Sequence, residues 1–111
     1  MQIQKRLHGK ATVIDISGRF DITEAPQFEV TFKEMVKDKP KDVAFDFSAV
    51  EYIDSSGIGA LIKAFNIVRT YGSDMMLFGL KPGVLAVFKV AQLDAFFKVL
   101  TLDEFKRKFP L

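Results

Sequence analysis

The stretch Val43-Ala44-Phe45-Asp46-Phe47-Ser48-Ala49-Val50-Glu51-Tyr52-Ile53-Asp54-Ser55-Ser56-Gly57-Ile58-Gly59 changes its hydrophobic period part-way along. Val43, Phe45 and Phe47 alternate with smaller or polar residues, which is the two-residue period of a strand, and the spacing predicts one ending near Ser48. From Ile58 onward, Ile58, Leu61, Ile62, Phe65 and Val68 recur at i, i+3, i+4, i+7 and i+10, the stripe of an amphipathic helix, with Gly72 placed to cap its C-terminus. Asp54-Ser55-Ser56-Gly57 stands at the joint. Asp and Ser are favoured N-caps because a short side-chain oxygen can accept from the unpaired N–H groups of the first turn. A strand leading into a helix is half of a βαβ unit, so the stretch points to an α/β fold.

Working outward, Gln2 to Leu7 alternate weakly, His8-Gly9-Lys10 can turn the chain, and the β-branched run Ala11-Thr12-Val13-Ile14-Asp15-Ile16 reads as a second strand. An opening antiparallel hairpin is expected. Ala25, Phe28, Phe32, Met35 and Val36 fall at helical spacing, with Pro26 in a first-turn position and Lys39-Pro40 as the stop, giving a helix over about residues 24 to 38. Downstream, Met75-Met76-Leu77-Phe78 suits a buried strand, and Lys81-Pro82-Gly83 opens a helix reaching about Val90. Phe96-Phe97-Lys98-Val99-Leu100 reads as a last strand. Thr101-Leu102-Asp103-Glu104 forms a capping box for a closing helix that should carry Leu102, Phe105 and Phe109 inward. The order ββαβαβαβα predicts a mostly parallel mixed sheet with an N-terminal antiparallel hairpin and about four helices. No linker or repeat divides it, so residues 1–111 are expected to form one domain.

Composition limits the function. A chain of 111 residues, 49% hydrophobic and 27% charged, has a formal net charge of only +2, and lacks the broad basic field that grips a phosphate backbone. Nucleic acid is not an expected partner. The basic end Lys106-Arg107-Lys108 complements a helix dipole as well as it would an anion. There is no cysteine and one histidine, His8, so disulfides, thiol catalysis and the common zinc sites are excluded. No segment has the roughly 18 apolar residues of a membrane span and the first residues lack the apolar run of a signal peptide. A cytoplasmic protein without membrane partners is expected. The twelve phenylalanines are spread through every element and are expected to fill a core.

Several residue groups are candidate sites. Ser56 has no Gly-x-Ser-x-Gly elbow and its sole histidine sits in a predicted edge turn, so no catalytic residue is expected. Gly57-Ile58-Gly59 lacks the third glycine of a dinucleotide loop, where Ile62 stands, and the small residues are read as permitting close helix packing. Asp15, Asp21, Asp46 and Asp54 could gather at strand ends around a divalent cation, but solvated loops and caps are the default, and neither a metal nor a cofactor is expected. A serine at a helix start can also be exposed to a kinase. Its phosphate, of roughly −1.5 to −2 charges, could be received by the free N–H groups of that helix end.

The stretch from Val43 to Gly59 as a whole resembles the signature of the STAS family, named for sulphate transporters and anti-sigma factor antagonists. Gly18-Arg19-Phe20-Asp21 resembles the family's Gly-x-Leu-Asp turn, with Phe20 in the leucine position. The resemblance implies the STAS fold across nearly the whole chain. In the anti-sigma antagonist branch it implies that Ser56, the second serine of Asp-Ser-Ser-Gly, is phosphorylated by a partner that is both serine kinase and anti-sigma factor. The unmodified protein would bind that partner and free the sigma factor, phosphorylation would block binding, and a metal-dependent serine phosphatase would restore it. By the same resemblance Asp21 and Asp54 flank the acceptor on a binding face that includes Ser55, Gly57 and Ile58, with Ser55 as a weaker second contact or acceptor. The alternative it leaves is a non-switching subunit of a stress-signalling or lipid-transport assembly.

Overall fold

The computed structural model describes residues 1–111. Five strands and four helices follow in the expected order: β1 Gln2–His8, β2 Ala11–Phe20, α1 Ala25–Met35, β3 Asp42–Ile53, α2 Ser55–Thr70, β4 Asp74–Phe78, α3 Pro82–Val90, β5 Lys98–Leu100 and α4 Leu102–Lys108. They form one sheet in the order β1-β2-β3-β4-β5, with β1 antiparallel to β2 and every other pair parallel. The mixed α/β architecture is the one predicted. No helix is long and apolar enough to cross a membrane.

Strand alternation sorts the core onto two faces. Ile14, Ile16, Val43, Phe45, Phe47, Met75 and Leu77 point to one side, against Phe28 and Phe32 of α1, Leu61 and Val68 of α2, and Val84 and Phe88 of α3. Val13, Ala44, Met76 and Phe78 point to the other, where α4 covers them with Phe105 and Phe109. Ten of the twelve phenylalanines are buried, but in two layers rather than one core. The Phe78 and Phe105 rings stack at 3.9 Å and 6°, fastening α4 to the sheet.

Four expectations are corrected. The strand predicted to stop near Ser48 runs to Ile53, because β2 also continues past Gly18 to Phe20 and supplies a partner: Ser17 to Phe20 pair with Ala49 to Ile53 across two register shifts. Such bulges do not follow a strict two-residue period, so the alternation read from the sequence fades there. The last strand loses Phe96 and Phe97, whose N–H groups donate to the Leu93 carbonyl in a turn, which lets Phe97 pack on Phe65 and Phe88. The first helix is shorter than 24 to 38, with Glu24 as its N-cap and the helix ending at Met35. Leu102 does not point inward and remains 46% exposed. The capping box of Thr101 and Glu104 is present, and above all the Thr101 N–H, donating to the Glu104 carboxylate, holds that carboxyl below the usual range.

Candidate functional site

The carboxyl ends of β2 and β3 lie side by side, Phe20 opposite Ile53, and deliver the chain to the starts of α1 and α2. The Asp54 N–H donates to the Phe20 carbonyl at 3.4 Å, joining the two connections. Gly57, buried in the first turn of α2, sits directly on this junction. A Cβ placed there would lie 2.4 Å from the Phe20 carbonyl oxygen and 2.8 Å from Ile53 Cγ1, so only glycine lets the helix start approach so closely. Asp21 and Asp54, which follow these paired strand ends, therefore lie at one end of the sheet.

Asp54 is the N-cap of α2. Its Oδ1 accepts from the N–H groups of Ser56 at 2.9 Å and Gly57 at 3.2 Å. Ser55 and Ser56 are therefore the first and second helical residues, and their hydroxyls take no part in the cap. This corrects the expectation of free N–H groups awaiting a phosphate: two of those donors already serve Asp54, and a phosphate on Ser56 would meet a carboxylate beside it. Replacing Asp54 with Ala is expected to cost about 1 kcal/mol, read as a lower urea midpoint at unchanged slope. A midpoint equal to the wild type would show that the cap contributes nothing.

The two serines face different surroundings. Ser56, half-buried, lines a groove between α1 and α2 with Ile22, Ala25 and Gly59. Ser55, exposed, borders an apolar surface with Ile58, Val87 and Val90, where α2 meets α3. Ile22 and Val90 are 70% and 86% exposed. Neither stands out in the sequence as a surface-site residue; the one available signal for Ile22 is an apolar residue in a turn.

Asp21 belongs to the turn before α1. Its Oδ1 accepts from the Thr23 hydroxyl at 2.6 Å and the Thr23 N–H at 3.1 Å, and Arg19 lies at 3.6 Å from its other oxygen. The Thr23 hydroxyl above all, with the Thr23 N–H and the Arg19 charge, holds the Asp21 carboxyl below its ordinary value. A lowered folded-state pKa stabilises the fold fully above the unfolded value of about 3.9, and the contribution is lost as pH falls through the lowered value. Thr23→Val is expected to move the Asp21 titration upward, as followed by carboxyl NMR; an unmoved titration would remove the hydroxyl from that role.

The four aspartates do not gather. Asp15 and Asp46 sit in register on the other face of the sheet, bridged by Arg6, whose Nε lies 2.8 Å from Asp15 and whose second guanidinium nitrogen lies 3.3 Å from Asp46. The Asp15 hydrogen bond, more than any other contact, raises the Arg6 pKa. No group of three or more His, Cys, Asp and Glu side chains is assembled for a metal ion. His8 packs on Phe105 under α4, apart from the Ser56 groove.

The family model described as the STAS domain matches residues 2–105. The chain belongs to the STAS domain family. This STAS chain is 24% identical over 90 residues to the anti-sigma-B factor antagonist of Listeria monocytogenes, covering 81% of this chain and 79% of that relative. Among solved structures, an anti-sigma factor antagonist from Mycobacterium paratuberculosis superimposes with a TM-score of 0.84 at 24% identity, over 97% of this chain and 92% of that one. The anti-sigma factor antagonist SpoIIAA in its unphosphorylated form gives a TM-score of 0.77 at 18% identity, over 99% and 98% of the two chains. At these identities the structural likenesses carry the STAS fold, and the activity of this STAS chain rests on its own site.

Proposed function

We propose that this STAS chain is an anti-sigma factor antagonist, switched by phosphorylation of Ser56. The observation that carries the reading is the division of roles at the start of α2: Asp54 caps the helix, so the Ser56 hydroxyl is not used in the cap, and Ser56 lines a surface groove. The unmodified protein binds an anti-sigma factor with serine kinase activity and so releases the sigma factor. In the modification, Ser56 Oγ attacks the γ-phosphorus of ATP held by the partner. The Oγ–P bond forms as the bond to the β-phosphate oxygen breaks, ADP leaves, and the hydroxyl proton passes to a base of the partner. A metal-dependent serine phosphatase reverses the change by hydrolysis. The names of the relatives in Listeria monocytogenes and Mycobacterium paratuberculosis support this branch of the family.

The chain's own residues bind and present; the nucleotide chemistry lies in the partner. Asp21, Asp54, Ser55, Ser56, Gly57 and Ile58 form the contact face in this reading. Incubation with the cognate anti-sigma kinase and ATP, followed by mapping of the phosphate by mass spectrometry, tests it. Phosphate on Ser56 is expected, and an active kinase that leaves Ser56 unmodified would sink the proposal in favour of a permanently docked subunit.

A further inference from the structure

Gly59 is a glycine without a purpose inside the chain. It is the fifth residue of α2, where glycine is a poorer helix former than any residue but proline. Its backbone is not in the left-handed region, and a Cβ built on it would meet nothing within 4 Å. Gly57, two residues earlier, is required by the Phe20 carbonyl, and Gly72 by its φ of +74°. Gly83 has similar open space but stands in the first turn of α3, where the helix frays and propensity counts for less. The expectation that Gly59 permits close packing of helices is therefore not met within the chain.

The open side of Gly59 faces the α1–α2 groove, whose walls include Ile22, Ala25, Pro26 and Lys63 and whose mouth holds Ser56. A kinase must reach Ser56, and that residue lines this groove, whereas Ser55 lines the surface against α3. At the far end, Glu29 pairs with Lys33 at 3.5 Å and Lys63 at 3.8 Å, leaving two cations to one anion. We infer that the partner kinase lays a segment of its own chain in the α1–α2 groove, its backbone passing over Gly59, an apolar side chain on Ile22 and Pro26, and an acidic residue toward Lys63. This rests on the reading of Ser56 as the partner's acceptor. It adds where the partner's segment runs: along the α1 side of the contact face, with Ser55 and Ile58 at that face's α3 edge and Val90 outside it.

The test compares Gly59→Ala and Gly59→Leu with Val90→Ser, measuring thermal midpoint and affinity for the cognate anti-sigma kinase by calorimetry. Gly59→Ala is expected to raise the midpoint by about 3 °C, since alanine is the better helix former, while weakening binding about tenfold through overpacking against the partner. Gly59→Leu should weaken it further, and Val90→Ser should leave it within about twofold, as an exposed position away from the contact. Unimpaired binding by both Gly59 variants, a lowered midpoint in Gly59→Ala, or a loss carried by Val90→Ser would each overturn the inference. A wild-type chain that binds the kinase while the Gly59 variants bind equally well removes the groove alone; a wild-type chain that is neither bound nor phosphorylated removes the switch and the groove together.

Discussion

Phosphorylated at Ser56, the protein is expected to bind its anti-sigma kinase about a hundredfold more weakly than the unmodified form, a shift of roughly 2.7 kcal/mol. The expectation needs no refolding of the domain. The N–H groups of Ser56 and Gly57 already donate to Asp54, so the added phosphate is not absorbed into the helix end. It stays at the mouth of the groove beside a carboxylate, with Asp21 in the neighbouring turn, and presents concentrated negative charge to any surface packed there. Burying such a group without a dedicated partner costs several kcal/mol, so an interface shaped for a hydroxyl opens instead. Calorimetric titration of the two forms reads the ratio. Ser56→Ala should bind like the unmodified protein and Ser56→Asp weakly; equal affinities across the three would remove the switch even if phosphate were found on the serine.

Gly57→Ala should damage the fold and the site together. The added carbon would stand 2.4 Å from the Phe20 carbonyl oxygen, and that oxygen belongs to backbone that also accepts from Asp54. No rotamer change relieves a contact with main chain, so the start of α2 must move away from the end of β2. A cost of about 3 kcal/mol is expected, at the upper end of overpacking penalties, which corresponds to a fall of roughly 12 °C in Tm for a domain of this size. Binding should fall as well, because Ser56 and Asp54 move with the helix. A variant as stable as the wild type would mean that the junction is looser than its geometry indicates. Gly59→Ala, two residues on, is expected to shift stability the opposite way, so the pair separates a glycine needed by the fold from one left open on its surface.

Much of this was legible in local pattern. The change from the alternation of Val43, Phe45 and Phe47 to the helical stripe of Ile58, Leu61 and Phe65 located β3 and α2, since burial on a sheet face and on a helix face imposes different periods. The box of Thr101 and Glu104 marked the start of α4 because capping is satisfied within four residues. The reading failed where a distant partner decided the outcome. β3 ran on to Ile53 because β2 lay alongside it through bulges, Phe97 left its strand to meet Phe65 and Phe88, and Leu102 turned outward although its spacing suited burial.

The site divides along the same line. Sequence alone named Ser56, placed it at a helix start and, with Asp21 and Asp54, tied it by resemblance to a phosphorylation switch, since residue type and spacing carry that much. Only the tertiary structure decided that Asp54 rather than a serine caps α2, that Ser55 and Ser56 face different surfaces, and that Gly57 is filled against Phe20 while Gly59 lies open. These depend on which atoms of β2, α1 and α3 come to rest around the first turns of α2, and such distances between segments remote in the chain are set by packing.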